Sequence, residues 1–205
     1  MNPQKLFIVV NVDWAFLLFR KDIAIAALNS GYDVSIITKD TGRRKEIESF
    51  GLQFIDFPFE RSGSNPLHES KCIWSLFRLY TKNRPDIIHH VTLKAALLGS
   101  VAAKLAGFKN VVNAISGFGY NFTAGRDGIQ QKIIKKLMKL AFKSKHFHYI
   151  FQNPDDISPF SQLKFVSEEK IHLIKGSGVD LNKFTFEKEI PKEKSTVYSP
   201  CPNVD

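Results

Sequence analysis

A strand, a helix and a second strand are predicted within residues 5–38, and this unit constrains the fold more than any other part of the sequence. Residues 5–12 (KLFIVVNV) form an almost uninterrupted apolar run of strand length. The apolar residues that follow recur at the spacing of one helical face: Phe16, Phe19, Ile23, Ala26 and Ala27. Gly31 ends the helix, and residues 32–38 (YDVSIIT) are a second β-branched run. Such a βαβ unit places its two strands parallel in one sheet.

The same alternation continues along the chain. Further strands are predicted at residues 52–59, 86–91, 110–115, 148–153 and 171–174, and further helices at 42–50, 66–83, 92–107 and 129–145. The first strand is apolar on both faces, as in a parallel sheet covered by helices on both sides. We therefore predict an α/β fold with a doubly wound, mostly parallel sheet of about seven strands in the order 3-2-1-4-5-6-7.

Composition limits the class of protein. The 205 residues suffice for one large domain, and the formal net charge of +9 favours an anionic partner such as nucleic acid, a phosphorylated ligand or a membrane surface. No recognition fold or aromatic-basic ladder for nucleic acid is visible. The two cysteines, Cys72 and Cys201, indicate neither a disulfide framework nor a structural zinc site, which predicts a cytoplasmic protein without a bound metal.

Ligands of doubly wound sheets bind beyond the carboxyl ends of the strands. This rule selects the segments that follow the predicted strands: residues 11–14, 89–92, 116–120, 152–156 and 175–180. Ser116, Gly117 and Gly119 begin a glycine-rich segment, but residue 122 is Phe and no helix opens there, so a dinucleotide-binding fingerprint is excluded.

Five segments in order resemble the N-terminal half of a family 4 glycosyltransferase, in particular enzymes of bacterial surface-polysaccharide and lipid-linked oligosaccharide assembly. They are NVDW followed by FR (11–20), DIIHHVTLKAALLGSVAAKLAG (86–107), ISGFGYNF (115–122), IFQNPDD (150–156) and IKGSGVDLNKF (174–184). The resemblance implies one of two facing Rossmann-like domains and no cofactor. It also implies that this half receives a lipid-linked or glycan acceptor, and that a C-terminal half with a Glu-x7-Glu element holds the nucleotide-sugar donor. Transfer retains the anomeric configuration in that family.

The resemblance also implies a domain boundary. Residues 1–185 correspond to the N-terminal domain, and residues 186–205 to a linker with the truncated start of a C-terminal domain. The expected function is therefore acceptor binding in a hexosyl or N-acetylhexosaminyl transferase, with a chain that is inactive alone. A catalytically inactive remnant that binds at most an acceptor or a membrane surface is the alternative.

Two adjacent histidines are the predicted catalytic residues. His89 and His90 end the fourth strand, where relatives place a functional histidine. Because side chains alternate along a strand, at most one ring faces the ligand and the other packs under a helix. The sequence does not decide which.

The resemblance and the sheet rule together give ten acceptor-binding candidates: Asn11, Asp13, Trp14, Arg20, Thr92, Lys94, Ser116, Gly117, Gly119 and Asn153. For Asp13 capping of the first helix is the favoured alternative, and Arg20 is also consistent with an ordinary helix surface. The glycine-rich segment is consistent with a ligand-facing lip or a plain turn. Relatives often carry histidine where this chain has Phe19.

The helix predicted at residues 129–145 carries a lysine stripe: Lys132, Lys135, Lys136, Lys139 and Lys143. Residues 126–148 contain seven basic residues and one acidic residue. Its apolar residues, Leu137 among them, are predicted on the opposite side, against the sheet. A solvated face and contact with anionic lipid are both consistent with the stripe, and the clustering favours lipid on the inner face of the cell membrane.

Overall fold

Seven parallel strands form a single sheet in the order β3-β2-β1-β4-β5-β6-β7. This computed structural model describes residues 3–60, 66–116, 129–176 and 178, with the side chains of residues 66 and 129–135 left out. The strands are β1 (Lys5–Val10), β2 (Asp33–Thr38), β3 (Gln53–Asp56), β4 (Ile87–Val91), β5 (Val111–Ile115), β6 (His148–Phe151) and β7 (Ile171–Leu173). The predicted fold class and strand order are confirmed.

Helices cover both faces of the sheet. In chain order they are α1 (Asp13–Phe19), α2 (Lys21–Asn29), α3 (Arg44–Ser49), α4 (Pro66–Asn83), α5 (Leu93–Leu105), α6 (Ile129–Phe142) and α7 (Pro154–Gln162). Alternate residues of β1 enter different cores: Phe7 and Val9 pack with α4 to α7, whereas Ile8 and Val10 pack with α1 to α3. The apolar run of β1 is therefore explained by burial on both faces.

The first predicted helix is two helices. Arg20, with φ −135° and ψ −5°, separates α1 from α2. The break rotates the helical face, so that Phe16 and Ala24 are buried while Phe19 and Ile23 are 51% and 49% exposed. The prediction of one continuous face through Phe19 and Ile23 is wrong. No glycine or proline within this segment marks the break.

Several predictions fall outside the described residues. Gly117, Gly119 and the segment 186–205 lie there, and so do the side chains of Lys132 and Lys135. The domain boundary at residue 185 stays a prediction. None of the described helices combines the length and the apolar character that crossing a bilayer requires.

Candidate functional site

A cleft of about 340 Å³ opens at the carboxyl ends of four neighbouring strands. Its lining comes from the β1–α1 turn and α1, from the ends of β4 and β5, and from the residue after β6: Asn11, Val12, Trp14, Ala15, Phe19, Arg20, Val91, Thr92, Ser116 and Gln152. Five of the predicted site residues therefore meet in one place. The strand order reverses between β1 and β4, and crevices form at such reversals in doubly wound sheets.

The cleft contains polar atoms that a ligand can satisfy. Among the described residues, Asn11 Oδ1 and Thr92 Oγ1 are buried and have no hydrogen-bond partner. An unsatisfied buried polar atom costs about 1–3 kcal/mol, so a ligand hydroxyl that reaches these atoms gains that energy. The exposed indole of Trp14 supplies a flat apolar surface beside them.

Arg20 brings positive charge to the cleft. The residue is 7% exposed, and its Nη1 donates a 2.7 Å hydrogen bond to the carbonyl of Phe19. Burial lowers the pKa of Arg20, but an arginine remains charged at neutral pH. A cation held in a largely dry wall attracts a diphosphate more strongly than a solvated one does.

Thr92 has an unusual backbone. It links β4 to α5 with φ 79° and ψ 154°, a region that β-branched residues seldom adopt. Its amide donates to the carbonyl of Ala114 at 3.0 Å, and its carbonyl accepts from Ala96 at 3.0 Å, so both backbone groups are fixed. Strain of this kind costs on the order of 1–3 kcal/mol and is concentrated at functional sites.

Asp13 does not face the cleft. It is fully buried, and its carboxylate accepts hydrogen bonds from the amide of Thr41 at 2.6 Å, the hydroxyl of Thr41 at 2.5 Å and the amides of Arg43 and Trp14 at 3.2 and 2.7 Å. Burial acts to raise the pKa of Asp13, but these hydrogen bonds outweigh it and lower the pKa. The carboxylate thus holds the β2–α3 connection, and a contact of Asp13 with substrate stays a prediction.

His90 is the histidine that packs under a helix. Its Nδ1 lies 2.8 Å from Asn113 Oδ1 and its Nε2 lies 3.0 Å from Tyr80 Oη, which engages both ring nitrogens. Ser100 Oγ also donates to Asn113 Oδ1 at 3.0 Å. A protonated Nδ1 and an accepting Nε2 satisfy this chain of hydrogen bonds. The ring of His90 is fully buried and absent from the cleft lining, and a catalytic role for it stays a prediction.

His89 points to the opposite face, as strand alternation requires. It is partly buried, and burial, Arg20 and His90 together lower its pKa to about 3, so it is neutral at physiological pH. The ring does not line the cleft itself but lies near enough to Arg20 to feel its charge. The catalytic role of His89 stays a prediction.

Two other predicted residues lie outside the cleft lining. Lys94 Nζ pairs with Glu69 Oε1 at 2.8 Å and donates to the carbonyl of Glu60 at 2.8 Å. Asn153 Oδ1 accepts from the amide of Asp155 at 3.0 Å and so caps α7. The neighbouring Gln152 lines the cleft instead. The rule that ligands bind at the carboxyl ends of strands selected residues 152–156, which include Gln152, but only Asn153 was named as a candidate.

The lysine stripe of α6 shares its exposed side with leucines. Met138, Ala141 and Phe142 are buried against the core, while Leu137 and Leu140 are 51% and 56% exposed. These two leucines accompany the exposed Lys136 and Lys139 and the exposed Lys143 directly after the helix, and we call this set the lysine–leucine face. The prediction that Leu137 packs against the sheet is wrong.

A cleft at the strand-order reversal of a doubly wound parallel sheet defines a ligand-binding α/β domain of the Rossmann-like class. The sequence model of the glycosyl transferase 4-like family matches residues 5–153, which include the lining of the cleft. The chain therefore belongs to the glycosyl transferase 4-like family.

Two curated relatives carry specific names. The chain is 26% identical over 156 residues to the UDP-Gal:alpha-D-GlcNAc-diphosphoundecaprenol alpha-1,3-galactosyltransferase of Escherichia coli, covering 76% of the chain and 39% of that enzyme. It is 27% identical over 189 residues to the N,N'-diacetylbacillosaminyl-diphospho-undecaprenol alpha-1,3-N-acetylgalactosaminyltransferase of Campylobacter jejuni, covering 91% of the chain and 50% of that enzyme. The chain thus spans half or less of the length of these relatives.

Solved structures support the fold. A glycosyltransferase from Rickettsia africae superimposes with a TM-score of 0.58 at 19% identity, over 90% of this chain and 46% of that one. The UDP-GlcNAc 2-epimerase of Methanocaldococcus jannaschii does so with a TM-score of 0.60 at 15% identity, over 84% and 46%. At such identities the likeness establishes the architecture of one domain and carries no statement about substrate.

Proposed function

We propose that this chain is the acceptor-binding domain of a retaining glycosyltransferase, which moves a hexosyl or N-acetylhexosaminyl group from a nucleotide-sugar to a sugar linked to undecaprenyl diphosphate. The observation that carries the proposal is the cleft, where two unsatisfied polar atoms, an indole and a buried guanidinium meet. The names of the two curated relatives supply the substrate class.

Each cleft group has a role in this proposal. Asn11 and Thr92 hold hydroxyl groups of the acceptor sugar, and Trp14 packs against its ring. Arg20 binds the diphosphate that joins the sugar to the lipid. In the reaction, the acceptor oxygen bonds to C1 of the donor sugar as the bond from C1 to the nucleotide diphosphate breaks, and the proton of the acceptor hydroxyl passes to the departing diphosphate. The acceptor side contributes mainly by orientation, which can supply several kcal/mol of the barrier reduction.

Catalysis needs a second wall that grips the nucleotide-sugar, as the family resemblance implies. A polypeptide of residues 1–205 should therefore bind an undecaprenyl-diphosphate sugar but transfer nothing from UDP-Gal or UDP-GalNAc. Fusing the C-terminal half of the Campylobacter jejuni relative after Glu189 should yield a transferase. Turnover by residues 1–205 alone would contradict this division of labour.

Cleft variants in that fusion test the acceptor site. Asn11→Ala and Thr92→Ala should each raise KM for the acceptor about tenfold, the value of one lost hydrogen bond, while KM for the donor stays unchanged. Asn29→Ala is the matched control, because Asn29 is exposed at the end of α2 and outside the cleft lining. Unchanged acceptor KM in both cleft variants would refute the assignment of the cleft.

An inactive, acceptor-binding remnant is the second candidate. The cleft suits this candidate as well, because binding of an acceptor needs only the residues that line it. The fusion separates the two candidates: an active fusion shows that the acceptor half is intact, whereas a folded but inactive fusion that still binds the acceptor indicates a remnant.

We also propose that the lysine–leucine face of α6 rests on an anionic membrane surface at the inner side of the cell membrane. Exposed leucines among lysines suit an interfacial helix, because leucine enters the acyl boundary while lysine meets the head groups. Each lysine near such a surface contributes about 1 kcal/mol. A lipid-linked acceptor would then be reached without leaving the bilayer surface.

A further inference from the structure

Three side chains with metal-binding atoms meet at the start of α4, remote in sequence from the groups that line the cleft. His68, Glu69 and Cys72 each offer one ligand atom, and these atoms all lie within 4.8 Å of one another. Cys72 is buried, and the other two are partly buried. Neither the proposed acceptor site nor the lysine–leucine face uses them.

The distances match tetrahedral coordination. Cys72 Sγ lies 3.7 Å from His68 Nδ1 and 3.9 Å from Nε2. Zinc bonds of about 2.3 Å to sulfur and 2.0 Å to nitrogen, at a tetrahedral angle, separate the two ligand atoms by about 3.5 Å. Residues four apart on a helix lie on one face, so His68 and Cys72 reach this distance without a change in the backbone.

Carboxylates complete the set. Because an imidazole gives one metal ion one nitrogen, Nε2 is the donor of His68. It lies 3.5 Å from Glu60 Oε1 and 3.9 Å from Cys72 Sγ, both near a tetrahedral ligand separation. Glu69 pairs one oxygen with Lys94, while its buried Oε2 has no hydrogen-bond partner among the described residues. A bound cation would satisfy this oxygen, because a buried carboxylate oxygen without a partner costs free energy.

We propose that His68, Glu69, Cys72 and Glu60 form a binding site for a divalent transition metal of the zinc type. One thiolate, one imidazole and carboxylates are ligands that Zn²⁺ accepts, whereas Mg²⁺ and Ca²⁺ prefer oxygen alone. The thiol of Cys72 loses its proton when the metal binds, so the sulfur becomes an anionic ligand.

Binding would tie the segment between β3 and α4 to the first turns of α4. Glu60 follows β3, whereas His68, Glu69 and Cys72 belong to α4. Because the folded chain presents the four ligands together, bound metal should stabilise the fold. Lys94 competes for Glu69, so the metal has to displace or tolerate that cation.

Cobalt titration of tag-free protein tests the site, because a Co²⁺–thiolate bond gives a near-ultraviolet charge-transfer band. The band should appear at one equivalent and vanish when Zn²⁺ is added. Cys72→Ser should abolish it, and the matched control Cys201→Ser should retain it, since these are the two cysteines of the chain. Absence of the band in wild type, or its loss only in Cys201→Ser, would overturn the proposal.

Two further variants protect the test against misfolding of Cys72→Ser. His68→Ala should weaken cobalt binding at least tenfold while circular dichroism stays unchanged. Lys94→Met should strengthen it several-fold, because Glu69 then has both oxygens available. Equal affinity in wild type, His68→Ala and Lys94→Met would show that cobalt binds elsewhere.

Discussion

Gly99 leaves space for the ring of His90. A Cβ atom built on Gly99 would overlap the His90 imidazole, so the glycine in α5 permits the buried contact with Tyr80 and Asn113. Glycine normally lowers helix stability by up to about 1 kcal/mol relative to alanine. The hydrogen bonds of His90 beneath the helix offset this loss of helix stability.

Gly99→Ala is therefore expected to destabilise the protein, against helix propensity, by about 1–3 kcal/mol of unfolding free energy. Urea denaturation followed by circular dichroism measures this change. In a His90→Ala background the same substitution should cost much less, since the overlapping ring is gone. A Gly99→Ala protein as stable as wild type would contradict the steric explanation.

At Thr92, in contrast to Gly99, a glycine would relieve backbone strain. Glycine adopts a φ of 79° without steric penalty, so Thr92→Gly should raise the free energy of unfolding by up to about 1 kcal/mol. The same change deletes the hydroxyl proposed to hold the acceptor, and acceptor KM in the fusion enzyme should rise about tenfold. Thr92→Ala separates the effects, because it loses the hydroxyl and keeps a Cβ. Lower stability of Thr92→Gly than of Thr92→Ala would refute backbone strain.

At the scale of elements, α6 is the test of membrane contact. Reversing Lys136, Lys139 and Lys143 to Glu should abolish sedimentation with anionic liposomes, while the wild-type protein should bind them less as salt is added. Leu137→Ser with Leu140→Ser should weaken binding at all salt concentrations, because apolar insertion is not screened.

The matched control for charge reverses three exposed lysines elsewhere. A variant with Glu at the exposed positions of Lys45, Lys71 and Lys109 changes the net charge by the same amount and leaves α6 intact. This variant should retain most of the binding. Equal loss in both triple variants would show that total charge governs binding, and equal binding to neutral liposomes would count against an electrostatic surface.

Helix boundaries and helix faces were less predictable than helix positions. The spacing of Phe16 and Phe19 fits one helix, and only the backbone of Arg20 shows that the axis changes there. Leu137 looked like a core residue because its spacing fits an apolar face. Its exposure depends on how α6 lies on α5, where Lys104 Nζ donates to the carbonyls of Leu140 and Lys143 at 2.6 and 2.9 Å. Such tertiary contacts leave no periodic signal.

At the scale of the molecule, buried histidines should make stability depend on pH. Burial lowers the pKa of His90 to about 4, and burial with the charge of Arg20 lowers that of His89 to about 3. In the unfolded chain both titrate near 6.5, so below that pH the unfolded state binds more protons and stability falls. Each histidine contributes a slope of up to about 1.4 kcal/mol per pH unit between pH 6.5 and 5.

Urea unfolding at intervals from pH 7 to pH 5 measures this slope. His90→Gln should lower the slope of unfolding free energy against pH by up to the contribution of one histidine. This holds whatever the substitution does to stability at pH 7. His148, whose pKa burial also lowers, contributes to the remaining slope. An unchanged slope in His90→Gln would show that His90 is not neutral in the folded protein.

The sheet was predictable because its strands are short apolar runs, and the right-handed crossover rule restricts their order. The cleft was predictable from the same order, since carboxyl ends and the reversal at β1 and β4 are properties of topology. Which of His89 and His90 packs under a helix was not predictable. The burial of the His90 ring depends on Tyr80 and Asn113, which belong to other elements. The surroundings of Asp13 were not predictable for the same reason, because its carboxylate accepts a hydrogen bond from Thr41, 28 positions away.

The strand order also has a consequence for how the chain emerges from the ribosome. Once β1, β2 and β3 have paired, β4 adds to the free edge of β1. β5, β6 and β7 then add in turn, each beside the strand made before it. Each newly made strand thus finds its template already present, and domains can fold progressively during synthesis. Among the described residues the edge moves outward with translation as far as the three-residue β7, and so short a strand is a poor template for another chain.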